Sequence, residues 1–236
     1  MRNHILFLIV VFLSNTIQAF TGFAGTMLAM PASMLLLGME RASAVLNVIA
    51  IVVSLLVLWK DHRYVQWKEL LKIVLLMLAG MGVGIYLLNV VPTQILQYCY
   101  AGFIILIALK KIFIKREIRV PGVIMLLVIF AAGIIHGMFV SGGSLLVLYA
   151  VTVLKEKKDF RATMAMVWVF LNSMLLVSHI RGGYFDLEAV GLLAAAIPVT
   201  LLSVWLGNKL HDKIDQALFL KITYVLLLLS GLLLIL

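Results

Sequence analysis

Apolar positions in this chain gather into long runs, and polar positions come in short groups between them. The runs fall at about 5–20, 24–37, 42–59, 70–90, 93–109, 121–136, 145–154, 162–180, 188–207 and 216–236. Six of them, Leu70–Val90 and Gln216–Leu236 among them, have the length a helix needs to cross a bilayer, about 20 residues. The other four are short and form two pairs. Each pair is joined by a glycine-rich break, Thr21-Gly22-Phe23-Ala24-Gly25-Thr26 in the first and Val140-Ser141-Gly142-Gly143-Ser144 in the second. Glycine at this density interrupts a helix, and interrupted backbone at membrane depth must line a cavity or be buried in protein. Neither break carries a charge, which argues against a loop lying at the membrane surface.

The two pairs hold equivalent places in two halves, 1–119 and 120–236. At an offset of 120 residues Arg41-Ala42-Ser43 falls on Arg161-Ala162-Thr163 and Tyr64 on Tyr184, and at an offset of 123 Gly84 falls on Gly207. The shared order is the stronger signal: a broken pair, an Arg-led turn, a long helix, a Tyr turn, then two more helices. If each broken pair is a hairpin returning to the side it came from, 16 of the 19 basic residues face one side. They lie in four clusters, at 60–72, 110–119, 155–161 and 209–221, leaving Arg2, Arg41 and Arg181 opposite. Reading each pair as a single crossing spreads the charges 11 against 8, so the positive-inside bias favours a hairpin for the second pair; for the first only Arg2 would move, and the repeat carries the reading. Five segments per half then invert the second half relative to the first. The fold expected is an all-α integral membrane protein of two inverted repeats, each a broken half-helix hairpin followed by three transmembrane helices. Inverted repeats with broken helices are the architecture of secondary transporters.

Composition narrows the class without changing that picture. Hydrophobic residues make up 64% of the 236 positions and charged residues 12%, against about 25% charged in soluble domains. A multi-pass protein of the plasma or inner membrane, with lipid around it, is the expectation. The net charge of +9 does not mark a nucleic-acid binder, because the basic residues are grouped between apolar runs. The single Cys99 has no partner for an internal disulfide and no metal-ligand neighbours. Neither a metal nor a cofactor is indicated. The first apolar run has a counterpart in mid-chain, so it reads as a retained segment rather than a cleaved signal.

Candidate chemistry lies at the breaks. All ten acidic residues sit in loops or at their edges, so the apolar segments contain no carboxylate to coordinate or relay a cation. The substrate expected is a small anion or a neutral solute. An anion needs only donors, and a half-helix N-terminus supplies unpaired N–H groups and a partial positive charge. Gly22, Gly25 and Thr26 in the first break, and Ser141, Gly142, Gly143 and Ser144 in the second, are the candidate cradle. Small residues also permit close helix packing, which is the competing reading. Gln18 and His136 precede the two breaks at an offset of 118 and are candidate side-chain donors, with Asn47 and Asn172 on the helices that follow. His136 and His179 are the groups in apolar segments that titrate near neutral pH, and His179 is placed at the interface. If transport is proton-coupled, either His136 carries the proton or the substrate enters protonated. Arg41 and Arg161 open equivalent helices on opposite faces. They can attract anions, pair with Glu40 and Asp159 as gates, or simply anchor the interface.

With these stretches in view the chain resembles the TauE/SafE family of membrane permeases, often called sulfite exporters. The matching stretches are Gly22-Phe23-Ala24-Gly25-Thr26-Met27-Leu28-Ala29-Met30-Pro31 with Arg41-Ala42-Ser43, and Ser141-Gly142-Gly143-Ser144-Leu145-Leu146-Val147 with Arg161-Ala162-Thr163. Ala24, Thr26 and Ser144 stand where the family tends to run glycine. The resemblance implies a plasma-membrane carrier of sulfite, sulfonates or related organic anions. An anion channel and an intramembrane hydrolase using Ser141 and His179 are the alternatives. The hydrolase is disfavoured because Phe139 occupies the first glycine of the Gly-x-Ser-Gly pattern that such proteases resemble. Apolar faces for lipid and for a second subunit look alike, so a homodimer stays open.

Overall fold

A computed structural model describes residues 2–113 and 122–211, together with positions 213, 215, 218, 225, 228, 229 and 232. The junction at 119/120 and most of the run 216–236 lie outside the described residues. All regular structure among the described residues is helical: α1 (Arg2–Thr21), α2 (Gly25–Leu37), α3 (Met39–Asp61), α4 (Trp67–Val90), α5 (Thr93–Phe113), α6 (Gly122–Phe139), α7 (Gly143–Val153), α8 (Lys157–Arg181) and α9 (Leu187–His211).

Six of these helices are long and apolar enough to cross a membrane, and they include α1 and α6. The sequence pattern suggested two short arms in each broken pair. The ingoing arms are instead 20 and 18 residues long, and only the returning arms α2 and α7, at 13 and 11, are short. At 1.5 Å per residue α1 spans about 30 Å, the thickness of the hydrocarbon core. The difference arises because hydropathy marks where a run stops being apolar, whereas backbone hydrogen bonds carry α1 back through Asn3 and His4 and α6 on to Phe139.

Both pairs return to the side they start from. Asn3 at the start of α1 donates to the Leu36 carbonyl at the end of α2 (3.4 Å). Gly142 packs on Met77 in mid-α4, while Tyr149, further along α7, bonds Glu69 and Lys72 at the start of α4. α7 therefore runs back antiparallel to α4. The turn in the first break needs Gly22, whose φ is +87° and whose missing Cβ would sit 3.1 Å from the Arg161 Cα. The second break turns through Val140 at φ +54°, a left-handed conformation that a β-branched residue adopts only under strain.

Helices from the two halves interlock. α4 packs along α6, α9 along α1, and α3 antiparallel to α8, with α3 also meeting α9 and α4 also meeting α8. The α4–α6 seam is closed by glycine. A Cβ at Gly80 would lie 2.1 Å from the Phe130 carbonyl oxygen, and one at Gly133 2.3 Å from that of Met77. Such contact is open only to small residues, which is how helices associate where lipid removes the hydrophobic drive. Gly84 presses on Ile134 of α6 and Gly207 on Thr16 of α1, so these two aligned glycines each meet an ingoing arm. The outer faces stay apolar, with Trp59 89% and Leu187 90% exposed, as lipid contact requires.

Candidate functional site

The two breaks meet beside α8, whose Arg161 packs on Gly22 and whose Trp168 reaches both breaks. Gly143 lies against the Phe23 carbonyl, close enough that a Cβ there would stand 2.9 Å from its oxygen. The first break is largely self-satisfied. The Thr21 Oγ1 accepts from the Phe23 and Ala24 N–H groups (3.1 and 3.3 Å), and the Gly22 carbonyl accepts from the Trp168 indole N–H (2.7 Å). Gln18 fills the slot left by the missing Cβ of Gly25, and its buried Oε1 has no hydrogen-bond partner. Thr26 is half-buried in the first turn of α2.

The second break is left unsatisfied. His136 is 1% exposed and neither ring nitrogen has a partner among the described residues; its ring stacks on Trp168, with centroids 5.3 Å apart. The Ser144 hydroxyl, in the first turn of α7, is also buried without a partner. The helix starts at Gly143 with Gly142 before it, and no side chain caps it. Ser141 is turned away, donating to the Phe139 carbonyl (2.9 Å). The Asn47 amide donates to the backbone carbonyl of Asn172 (3.0 Å), tying α3 to α8, and both side-chain Oδ1 atoms remain buried and unpartnered. Unsatisfied buried polar atoms cost about 1–3 kcal/mol each. Two of these residues, His136 and Ser144, stand at the uncapped start of α7.

Of the sequence candidates, Gln18, Gly22, Gly25, His136, Gly142, Gly143 and Ser144 are brought to or beside the meeting point. Asn47 and Asn172, which do not align in sequence, sit on facing helices joined by a hydrogen bond. Trp168, absent from the sequence expectation, touches both breaks. Its one legible signal was a tryptophan in the middle of an apolar run rather than at the membrane interface.

A cavity of about 890 Å³ opens from the end bearing Arg41 and Arg181, and Asn89, Met138, Leu175, His179 and Tyr184 are among its walls. His136 and Asn172 lie one residue and one turn further in than Gly137 and Leu175 of this wall. Met81, Val140 and Leu175 form a small buried cluster there, with Leu78 and Ile85 against it. At the other end, where Lys155, Lys157 and Arg161 gather with Phe20, Thr21 and His211, the space narrows to a crevice of about 30 Å³. His179 belongs to the cavity wall, 5% exposed and stacked on Tyr184, rather than to the lipid interface expected for it.

The arginines pair differently from expectation. Arg41 binds Asp186 (2.5 Å) and Glu188 (2.9 Å), not Glu40. Arg161 is buried, binding Asp61 (2.8 Å) and the Asn208 amide oxygen, while Asp159 accepts from Gln66. Neighbours one or two positions away on a helix point about 100° or more apart, so Glu40 and Asp159 face elsewhere. The acidic partners and Gln66 come from the segments at 61–66 and 182–188 of the opposite half, while Asn208 comes from α9 of Arg161's own half. The Arg41 hydrogen bond holds the Asp186 carboxyl below its usual range. A lowered carboxylate stabilises its pair above the unfolded value of about 3.9 and loses it only as pH falls through the lower folded value. In carboxyl-labelled NMR Asp186 is expected to titrate at lower pH than it does in an Arg41→Ala variant; the same midpoint in both would contradict the pairing.

Described residues that are helical throughout their regular structure, with six helices long and apolar enough to cross a bilayer and two broken hairpins meeting inside, define a multi-pass membrane protein. A family model described as sulfite exporter TauE/SafE matches residues 6–234, and the chain belongs to that family. Its members are membrane transporters, and the protein is a multi-pass protein of the cell membrane. No curated protein and no solved structure matches it.

Proposed function

We propose that the protein is a secondary transporter, working as an exporter, that moves small anions such as sulfite, organosulfonates or related organic anions by alternating access. The observation that carries this reading is the group of buried, unpartnered polar side chains, His136, Ser144 and Gln18, at the uncapped start of α7 and beside that of α2. The His136 ring and the Ser144 hydroxyl can each donate a hydrogen, and no carboxylate stands among them. Those donors are costly empty and are relieved by an anion that accepts from ring, hydroxyl and backbone N–H together, while the orphan Gln18 Oε1 is an acceptor that a protonated ligand or a water satisfies.

Two inverted repeats, 1–119 and 120–236, are the frame for the motion. In its favour, Arg41 and Arg161 open equivalent helices and each grips a turn of the other half. The basic end faces the cytoplasm by the positive-inside bias, which puts the 890 Å³ cavity outside and makes this an outward-open state. Unequal openings at the two ends favour a carrier over a channel, which needs one continuous path.

Flux of labelled sulfite, sulfonates and small carboxylates into proteoliposomes, with and without a pH gradient, tests the reading. Saturable flux of one class is expected, and flux linear in concentration would instead mean a channel. His136→Gln is expected to raise KM roughly tenfold, the worth of a hydrogen bond to a charged group. Loss of the pH response in that variant assigns the proton to His136; a retained response assigns it to the substrate. Unchanged KM would remove His136 from the site.

A further inference from the structure

The protein has four tryptophans. Trp59, Trp67 and Trp205 are 89%, 61% and 54% exposed, as expected of rings set against lipid and its interface, whereas Trp168 is 4% exposed. Its N–H is committed to the Gly22 carbonyl, its face is covered by His136, and its Cζ2 edge points at Gly143, 3.4 Å from where a Cβ would be. One side chain thus joins the first break, the second break and the unpartnered histidine. The position 120 residues earlier, where the other half would place a counterpart, is Val48. The wall is therefore one-sided.

We propose that Trp168 is the size-selecting wall of the anion site and the positioning residue for His136; this rests on the anion-transport reading above. The chemistry fits. An aromatic ring is negative on its faces and positive at its edge, so the edge turned toward the start of α7 tolerates an anion that the face would repel. The indole N–H is already used and gives the ligand no hydrogen bond, so the ring contributes shape. With its edge this close to Gly143, the ring sets how far the two breaks must part to seat a ligand at the α7 N-terminus, less for a compact oxyanion head than for a branched or bulky one. The Gly22 bond keeps the ring from swinging aside, and the stacked His136 is held by the same restraint.

Two measurements on the full-length protein test this. In a variant with Trp59, Trp67 and Trp205 all changed to Phe, Trp168 is the only tryptophan. Titration with sulfite and with methanesulfonate should change its emission saturably, with the midpoint matching half-saturation of transport. Saturable transport without any emission change would place Trp168 away from the site and overturn the proposal while leaving the transport reading intact. Absence of flux for every anion tested would overturn both. In the second measurement, Trp168→Val, which copies the other half, should raise the flux of propanesulfonate relative to sulfite about tenfold. Trp168→Phe, which keeps the stacking and loses the N–H bond, should retain the wild-type preference with KM several-fold higher. An unaltered size preference in a monodisperse Trp168→Val protein would overturn the wall.

Discussion

Asp61→Ala is expected to destabilise the protein by about 3–5 kcal/mol, because it takes the buried carboxylate from a guanidinium held in the interior. Arg161 and Asp61 have side-chain exposures of 2% and 7%, and the pair sits at the end where the space between the halves is nearly closed. Removing one member of a buried pair leaves an uncompensated charge, which is far worse than removing both. Arg161→Met with Asp61→Leu should therefore recover most of the stability. The pair also ties the end of α3 to the start of α8, and Asn208 of α9 joins it through Arg161. Loss of this tie is expected to open the basic end, so even the restored double variant should leak substrate. Thermal unfolding in detergent reads the first effect, as a fall in Tm of about 10 °C for Asp61→Ala. Passive efflux from loaded proteoliposomes reads the second. A single variant as stable as the parent would mean that the guanidinium finds water, and the closed end would no longer be a gate.

Gly143→Ala carries the next largest expected effect, a loss of transport of about a hundredfold or more with stability lowered by about 1–3 kcal/mol. Its Cβ would meet the Phe23 carbonyl oxygen at 2.9 Å, backbone against backbone, so the two breaks must move apart. Gly25→Ala makes a useful contrast. Its Cβ would fall 2.0 Å from the Gln18 Oε1 and 2.6 Å from the Gln18 Cβ, so the neighbour that must give is one side chain. Adding Gln18→Ala to Gly25→Ala removes the Oε1 and Cδ clashes but keeps the Cβ one, so it should recover only part of the stability, a coupling that a double-mutant cycle measures directly. No second substitution of a side chain relieves Gly143. Gly143→Leu goes further and should abolish flux outright. Normal transport by Gly143→Leu would put the substrate site elsewhere in the molecule.

The hairpins show how much a sequence of this kind discloses. Charges argued that the second broken pair returns on itself and the internal repeat carried that reading to the first, and the Tyr149–Glu69 and Asn3–Leu36 contacts agree with hairpins in both. The start of α7, at Gly143, falls within the Gly142-Gly143-Ser144 stretch that glycine marked as the opening of the returning arm. The length of the ingoing arms was not. Asn3 and His4 at one end and Gly137–Phe139 at the other carry no helix signal of their own, and they join α1 and α6 through backbone bonds and packing.

What the sequence determined by itself was solvent and class: a chain with 64% apolar residues, its charges confined to short links, can only fold with lipid around it. It also determined where the backbone breaks, since glycine acts locally. Tertiary structure alone decided who meets whom. Arg161 reaches Asp61 and Asn208, Arg41 reaches Asp186 and Glu188, and Trp168 bridges the breaks, across separations in sequence that no local pattern encodes. It also decided that the two breaks differ. Thr21 satisfies the first from within, while Val140 at positive φ turns the second so that His136 and Ser144 are left without partners. Hydrogen-bond satisfaction is a property of three-dimensional neighbours, and two breaks of similar composition can therefore take different chemical roles.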